Sequence, residues 1–301
     1  MTLHPLLRAL REERAAAGFR PPYELGVAAA RAANGRPALA EPPEHVVRVD
    51  DLDADGVQVR IFRGTEEAPT PTLVYFFGGG WVLGSLDDVE PSCRRLANAA
   101  RCAVAAVGYR LAPEHPFPAA LDDCLVATRW LSDHAGELGL DARRLAIGGA
   151  SAGGNLAALV CLRVRDDGGL ALTSQLLVYP VTDHLPDTPS VRECTDPYFL
   201  DARSMRWFWS LYLRDTRDAD AASPLRVPDL SGLPPALVIT AEHDPLRDEG
   251  ERYAQRLREA GVDAQVQRYE GMVHGFFSMS RLPESRAAVE RAAAALREGW
   301  E

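Results

Sequence analysis

The chain contains no lysine; all 33 of its basic side chains are arginine. That removes the lysine of a Walker-type phosphate loop and any lysine Schiff base. Cysteine is scarce as well. The five present (Cys93, Cys102, Cys124, Cys161, Cys194) are odd in number, scattered, and form no C-x-x-C pair. They read as reduced, mostly buried thiols of a cytoplasmic protein. The seven histidines are isolated, with no H-E-x-x-H spacing, so no metal is expected. No apolar run approaches the ~20 residues of a membrane span. The N-terminus, Met1-Thr-Leu-His-Pro-Leu-Leu-Arg8, lacks the long apolar stretch of a secretion signal. Positive charge is also in deficit: the formal net charge of −10 argues against nucleic acid or an anionic membrane surface as partner.

What the chain does have is a stretch around which the rest is organised, Arg144-Leu-Ala-Ile-Gly-Gly-Ala-Ser-Ala-Gly-Gly-Asn-Leu-Ala-Ala158. Residues 145–147 are a short apolar run of the kind buried in a parallel strand, and 156–164 form an Ala- and Leu-rich helical pattern. Between them Gly149-Ala-Ser151-Ala-Gly153 matches G-x-S-x-G. A serine on so tight a strand-to-helix turn is forced into a strained backbone conformation, and flanking glycines remove the Cβ clashes. The helix N-terminus beneath it offers unpaired N–H groups to a developing negative charge. Alone the pentapeptide is a weak signal, because a closely packed glycine-rich turn fits it equally well. Neither G-x-G-x-x-G nor G-x-x-x-x-G-K-[ST] can be laid over these residues, and the nucleophile reading of Ser151 survives.

At 301 residues the length suits one domain with an appended lid. Residues 1 to about 40 read as two helices, with Leu3, Leu6, Leu7 and Leu10 at helical spacing and a second helix over 23–33. Alternating runs at 46–51 and 57–62 around Asp53-Ala-Asp-Gly56 signal a hairpin. Apolar runs at 73–77, 103–107, 145–147, 176–179, 236–240 and 264–269 then alternate with helical patterns at about 88–100, 119–135, 152–166, 247–260 and 284–299. The expectation is an α/β fold: a mostly parallel eight-stranded sheet with helices on both faces. Residues 184–222 break the rhythm and concentrate Tyr198, Phe199, Trp207, Phe208, Trp209 and Tyr212. Left on a plain surface helix these aromatics would be exposed, so the segment is expected to join residues 1–40 as a helical cap over the active face. Trp81, Phe199, Trp207 and Phe208 are the expected substrate-binding side chains.

A serine hydroxyl needs a base, and the base an orienting group. In hydrolases of this architecture they follow in the order Ser, Asp or Glu, His. His274, in Gly271-Met-Val-His-Gly-Phe276, follows the 264–269 strand and is the expected base. His243 would precede the acid, and His184 lies near the cap. Asp244 comes directly off the 236–240 strand and is the expected acid. Asp248 reads more simply as a helix-terminus carboxylate, and Glu242 is a third candidate. The run Gly78-Gly79-Gly80-Trp81 leaves the 73–77 strand, so backbone N–H groups of Gly79 and Gly80, with that of Ala152, are expected to form an oxyanion hole.

With these motifs in order, joined by Tyr109-Arg-Leu-Ala-Pro-Glu-His-Pro-Phe-Pro118 and Asp244-Pro-Leu-Arg-Asp-Glu-Gly250, the chain resembles bacterial esterases of the hormone-sensitive-lipase family. The resemblance implies the α/β-hydrolase fold, a Ser151–His274–Asp244 triad, the oxyanion donors named above, a cap from 1–40 and 184–222, and a homodimer. It further implies hydrolysis of short to medium acyl esters through an acyl-enzyme, with no cofactor. Two positions depart from the pattern: Phe77 stands where the family has histidine before its glycines, and Ala150 where it has aspartate before the nucleophile. Neither removes a backbone donor, so activity is expected to persist. The same site would serve an amide hydrolase or an acyltransferase, and the two departures motivate a non-catalytic small-molecule binder as a rival. A base that must be neutral predicts activity falling below about pH 6.

Overall fold

The computed structural model describes residues 2–35 and 38–301. Met1, Arg36 and Pro37, which fall in the 1–40 stretch expected to cap the site, lie outside the described residues. Eight strands form one sheet: β1 (Arg48–Ala54), β2 (Val57–Arg63), β3 (Thr70–Phe76), β4 (Ala103–Gly108), β5 (Leu140–Ala150), β6 (Gln175–Val178), β7 (Ala236–His243) and β8 (Ala264–Val273). Their spatial order is β1-β2-β4-β3-β5-β6-β7-β8. The β1–β2 and β2–β4 pairs are antiparallel and all others parallel.

The expected hairpin turns on Asp55 and Gly56, both at positive φ, which suits the right-handed twist of the flanking strands. Asp53 Oδ1 accepts the Gly56 N–H at 2.7 Å and tightens it. In the centre, successive residues 73–76 and 103–107 are at most 1% exposed. Neighbouring side chains on a strand point to opposite faces, so the sheet is covered on both.

Ten α-helices are present among the described residues: α1 (Pro5–Ala16), α2 (Pro22–Leu25), α3 (Val27–Ala33), α4 (Leu86–Ala100), α5 (Ala119–Asp133), α6 (Ala152–Asp167), α7 (Pro189–Glu193), α8 (Ala202–Tyr212), α9 (Arg247–Glu259) and α10 (Pro283–Trp300). None is long and apolar enough to cross a membrane. Helix α4 packs on α10 and α5 on α6. The N-terminal stretch holds three helices rather than two, because Gly26 at φ +76 breaks the second pattern into α2 and α3. The 184–222 interval is less regular than a helical insertion: it holds α7, α8 and the 3-10 turn Thr216–Ala219.

These two segments meet. Arg11 Nε donates to Asp196 Oδ2 at 2.5 Å, Arg14 donates to the Tyr198 carbonyl, and the Arg203 guanidinium lies 4.4 Å from the Tyr23 ring centroid. Arg31 on α3 donates to the carbonyls of Val82 and Ala112 and forks onto Glu114 at 2.8 and 2.7 Å. The N-terminal helices are thereby tied both to 184–222 and to the glycine loop after β3.

Candidate active site

The parallel order β5-β6-β7-β8 sets the carboxyl ends of three strands along one rim, where open α/β sheets place their chemistry. Ser151 follows β5, Asp244 follows β7, and His274 follows β8. Ser151 has φ +58 and ψ −119, outside the regions an L-residue prefers. The turn holds because its neighbours permit contact no side chain would tolerate. A Cβ on Gly153 would sit 1.9 Å from the Phe76 carbonyl oxygen. The Ser151 N–H donates to the Val178 carbonyl, and its own carbonyl accepts from Asn155 and Val181.

His274 Nε2 lies 2.9 Å from Ser151 Oγ, and His274 Nδ1 lies 2.7 Å from Asp244 Oδ2. Asp244 is fully buried, and its other oxygen accepts the Leu246 N–H at 2.9 Å. One oxygen is thus fixed by the backbone and the other aims at the ring. Tyr179, at φ +35, packs against the imidazole with centroids 4.5 Å apart.

The rival residues are engaged elsewhere. Asp248 pairs with Arg247 and accepts the Ser190 N–H. Glu242 accepts the Gly271 N–H at 2.7 Å. His184 packs edge-on against Trp209, with burial lowering its pKa, and His243 lines a separate cleft.

Among the described residues, the N–H groups of Gly79, Gly80 and Ala152 have no hydrogen-bond acceptor. The first two leave the loop after β3, and the third opens α6, whose dipole adds positive potential. Gly80 has φ +61, and a Cβ there would stand 2.2 Å from the Phe208 ring, so the loop and α8 are in direct contact. The stretch after β4 braces it: Tyr109 Oη donates to the Phe77 carbonyl at 2.7 Å and Ala112 N to the Trp81 carbonyl at 2.9 Å. Phe77 stacks on the Tyr109 ring at 4.3 Å, an apolar anchor at the position where the family pattern has histidine.

A cavity of about 330 Å³ opens on this point and is lined by Ser151, His274, Val181, Leu200, Met205 and Phe208 among others. Of the four aromatics expected to bind substrate, Phe208 lines it and the other three do not. Trp81, at φ +59, turns inward and is fully buried, stacked on Tyr212 at 4.1 Å and tilted against Trp209 at 4.5 Å. Trp207 packs edge-on against Phe208. Phe199 faces the neighbouring cleft that also holds Arg11 and His243. Tyr179, Val181, Leu200 and Met205 were not expected at the site; for Tyr179 the signal was available, a tyrosine closing an apolar strand on the active rim.

A family model described as alpha/beta hydrolase fold matches residues 73–278. A carboxylic ester hydrolase of Mycobacterium tuberculosis is 42% identical over 259 residues, covering 82% of this chain and 69% of that protein. The solved structure of an ester hydrolase from the Lake Arreo metagenome, complexed with a bipyridine phosphonate derivative, has a TM-score of 0.90 at 40% identity and covers 99% of both chains. A thermostable esterase from Pseudomonas putida has a TM-score of 0.94 at 35% identity, covering 100% of this chain and 98% of that one.

Proposed function

This chain belongs to the alpha/beta-hydrolase fold family, and from that premise we propose that it is a serine carboxylic-ester hydrolase acting on short to medium acyl esters. The observation that carries the reading is the unbroken chain of contacts from Asp244 through His274 to Ser151, 2.7 and 2.9 Å long. His274 takes the Ser151 proton as Oγ attacks the ester carbonyl, while buried Asp244 holds the ring with Nε2 free to accept. The tetrahedral oxyanion sits against the N–H groups of Gly79, Gly80 and Ala152, which are free to donate; losing one such donor typically costs about 10²–10³ in turnover. His274 returns the proton to the leaving alcohol, and water, activated by the same imidazole, cleaves the acyl-enzyme.

The names of the relatives support ester over amide chemistry, since those compared above are ester hydrolases or esterases. A cavity near 330 Å³ lies at the small end of ligand pockets, which supports short to medium chains. Residues 5–33 and 184–222 act as the cap, with Phe208 closing on the glycine loop. The same reading includes a cytoplasmic location, which five unpaired thiols suit, and the homodimer implied by the resemblance. A p-nitrophenyl ester series of rising acyl length tests it: turnover should be greatest for short to medium chains and absent in Ser151→Ala. Retention of turnover in that variant would refute the assignment.

A further inference from the structure

The triad leaves one deeply buried carboxyl unused. Glu249, in the first turn of α9, is 1% exposed. Among the described residues it pairs with no arginine or histidine. Burial pushes its carboxyl well above the usual range. Its Oε1 accepts two backbone N–H groups, those of Thr182 at 2.6 Å and Asp183 at 3.2 Å. An acidic residue in a helix's first turn ordinarily serves its own helix from the solvent side. Here the donors belong to another element, the loop that follows β6.

That loop touches the nucleophile directly. Val181 N–H donates to the Ser151 carbonyl at 3.2 Å, and Val181 lines the cavity. Asn155 Nδ2 holds the Val181 carbonyl at 3.1 Å from the α6 side. Glu249 holds the next two residues from the α9 side. The start of α9 is itself tied to the acid, since Leu246 N–H donates to Asp244 and Gly250 N–H to the Leu246 carbonyl. Residues 244–250 therefore grip the Asp244–His274 pair at one end and the backing of Ser151 at the other.

We propose that Glu249 is a positioning residue that fixes the distance between Ser151 and the Asp244–His274 pair by clamping the 181–183 loop to the start of α9. The proposal rests on the esterase reading. Glu249→Leu fills the same space but leaves both N–H groups unpaired. Glu249→Gln keeps the accepting oxygen and nearly the same shape, beside a small cavity that Glu249 lines together with Asp183 and Leu246. Each variant is compared with wild type, on material with native circular dichroism, for the rate of Ser151 labelling by a fluorophosphonate and for kcat and KM on p-nitrophenyl acetate. A shift of the nucleophile by an ångström costs about 10²-fold, so Leu should lower labelling and kcat by about that factor with KM within about threefold. Gln should stay within about threefold of wild type. A folded Leu variant that labels at the wild-type rate overturns the proposal, as does a Gln variant as slow as Leu. Should Leu fail to fold, Glu249→Asp decides: one methylene shorter, it cannot reach both donors and should label at least about tenfold slower, and a wild-type rate would overturn the clamp. Wild-type protein that takes no label would instead refute the esterase reading itself.

Discussion

Replacing Asp244 by Asn tests the orienting role with little change of shape. The buried side chain has two fixed neighbours, the Leu246 N–H 2.9 Å from one oxygen and His274 Nδ1 2.7 Å from the other. The Leu246 donor cannot turn, so the amide oxygen must face it and the amide NH2 must face the imidazole. Nδ1 then has to be the unprotonated nitrogen, which moves the ring proton to Nε2. That proton points at Ser151 Oγ, 2.9 Å away, and the ring can no longer accept. A comparable wrong-tautomer substitution in a serine protease lowers kcat by about 10⁴. Flipping the amide would restore the tautomer but set two buried donors against each other, at about 1–3 kcal/mol for each left unpaired. That penalty keeps the flipped form rare enough for a loss of roughly 10² even by this route. The expected result is a fall of about 10²–10⁴ in kcat for p-nitrophenyl acetate, with native circular dichroism and thermal midpoint retained. A folded Asp244→Asn enzyme within tenfold of wild type would refute the argument.

Gly80→Ala should drive a methyl into the Phe208 ring from a backbone at φ +61, destabilising by about 1–3 kcal/mol and lowering Tm by about 2–6 °C. Unchanged Tm and turnover would show that α8 does not press on the loop. Cys194 is the one cysteine of the five that is not fully buried, and burial pushes its thiol up to about 11. Because the thiolate reacts, a maleimide-free alkylator such as iodoacetamide should modify the native protein once, about tenfold faster per pH unit up to about that value. More than one label on native protein, or a flat rate from pH 8 to 10, would contradict this.

Much of the sheet was legible because each central strand is a short apolar run bounded by turn residues. The first half of β5 was not, since Asp141-Ala-Arg-Arg144 is charged and the pairing with β3 jumps from Thr70↔Leu140 to Thr72↔Leu145. The seven-residue α3 was merged with α2 because a single glycine at positive φ leaves no hydrophobic signature. The order Ser151, Asp244, His274 could be read because each follows a recognisable strand on one rim. The pocket could not. Whether Trp81 faces a cavity or the core is decided by its own φ of +59 and by Tyr212 and Trp209 beneath it, contacts more than a hundred positions away in the chain. Glu249 was hidden for a similar reason: beside Asp248 it looks like another helix-start carboxylate, and only the fold brings the 181–183 loop to it.

In the proposed reaction one hydroxyl, that of Ser151, carries the acyl group. The measurement that bears on it most directly is peptide mapping by mass spectrometry after fluorophosphonate treatment, run beside ester turnover on the same sample. A single adduct is expected on the peptide containing Ser151, appearing in step with loss of turnover and absent from Ser151→Ala. Inactivation with the adduct on any other residue, or full turnover by protein modified at Ser151, would contradict it.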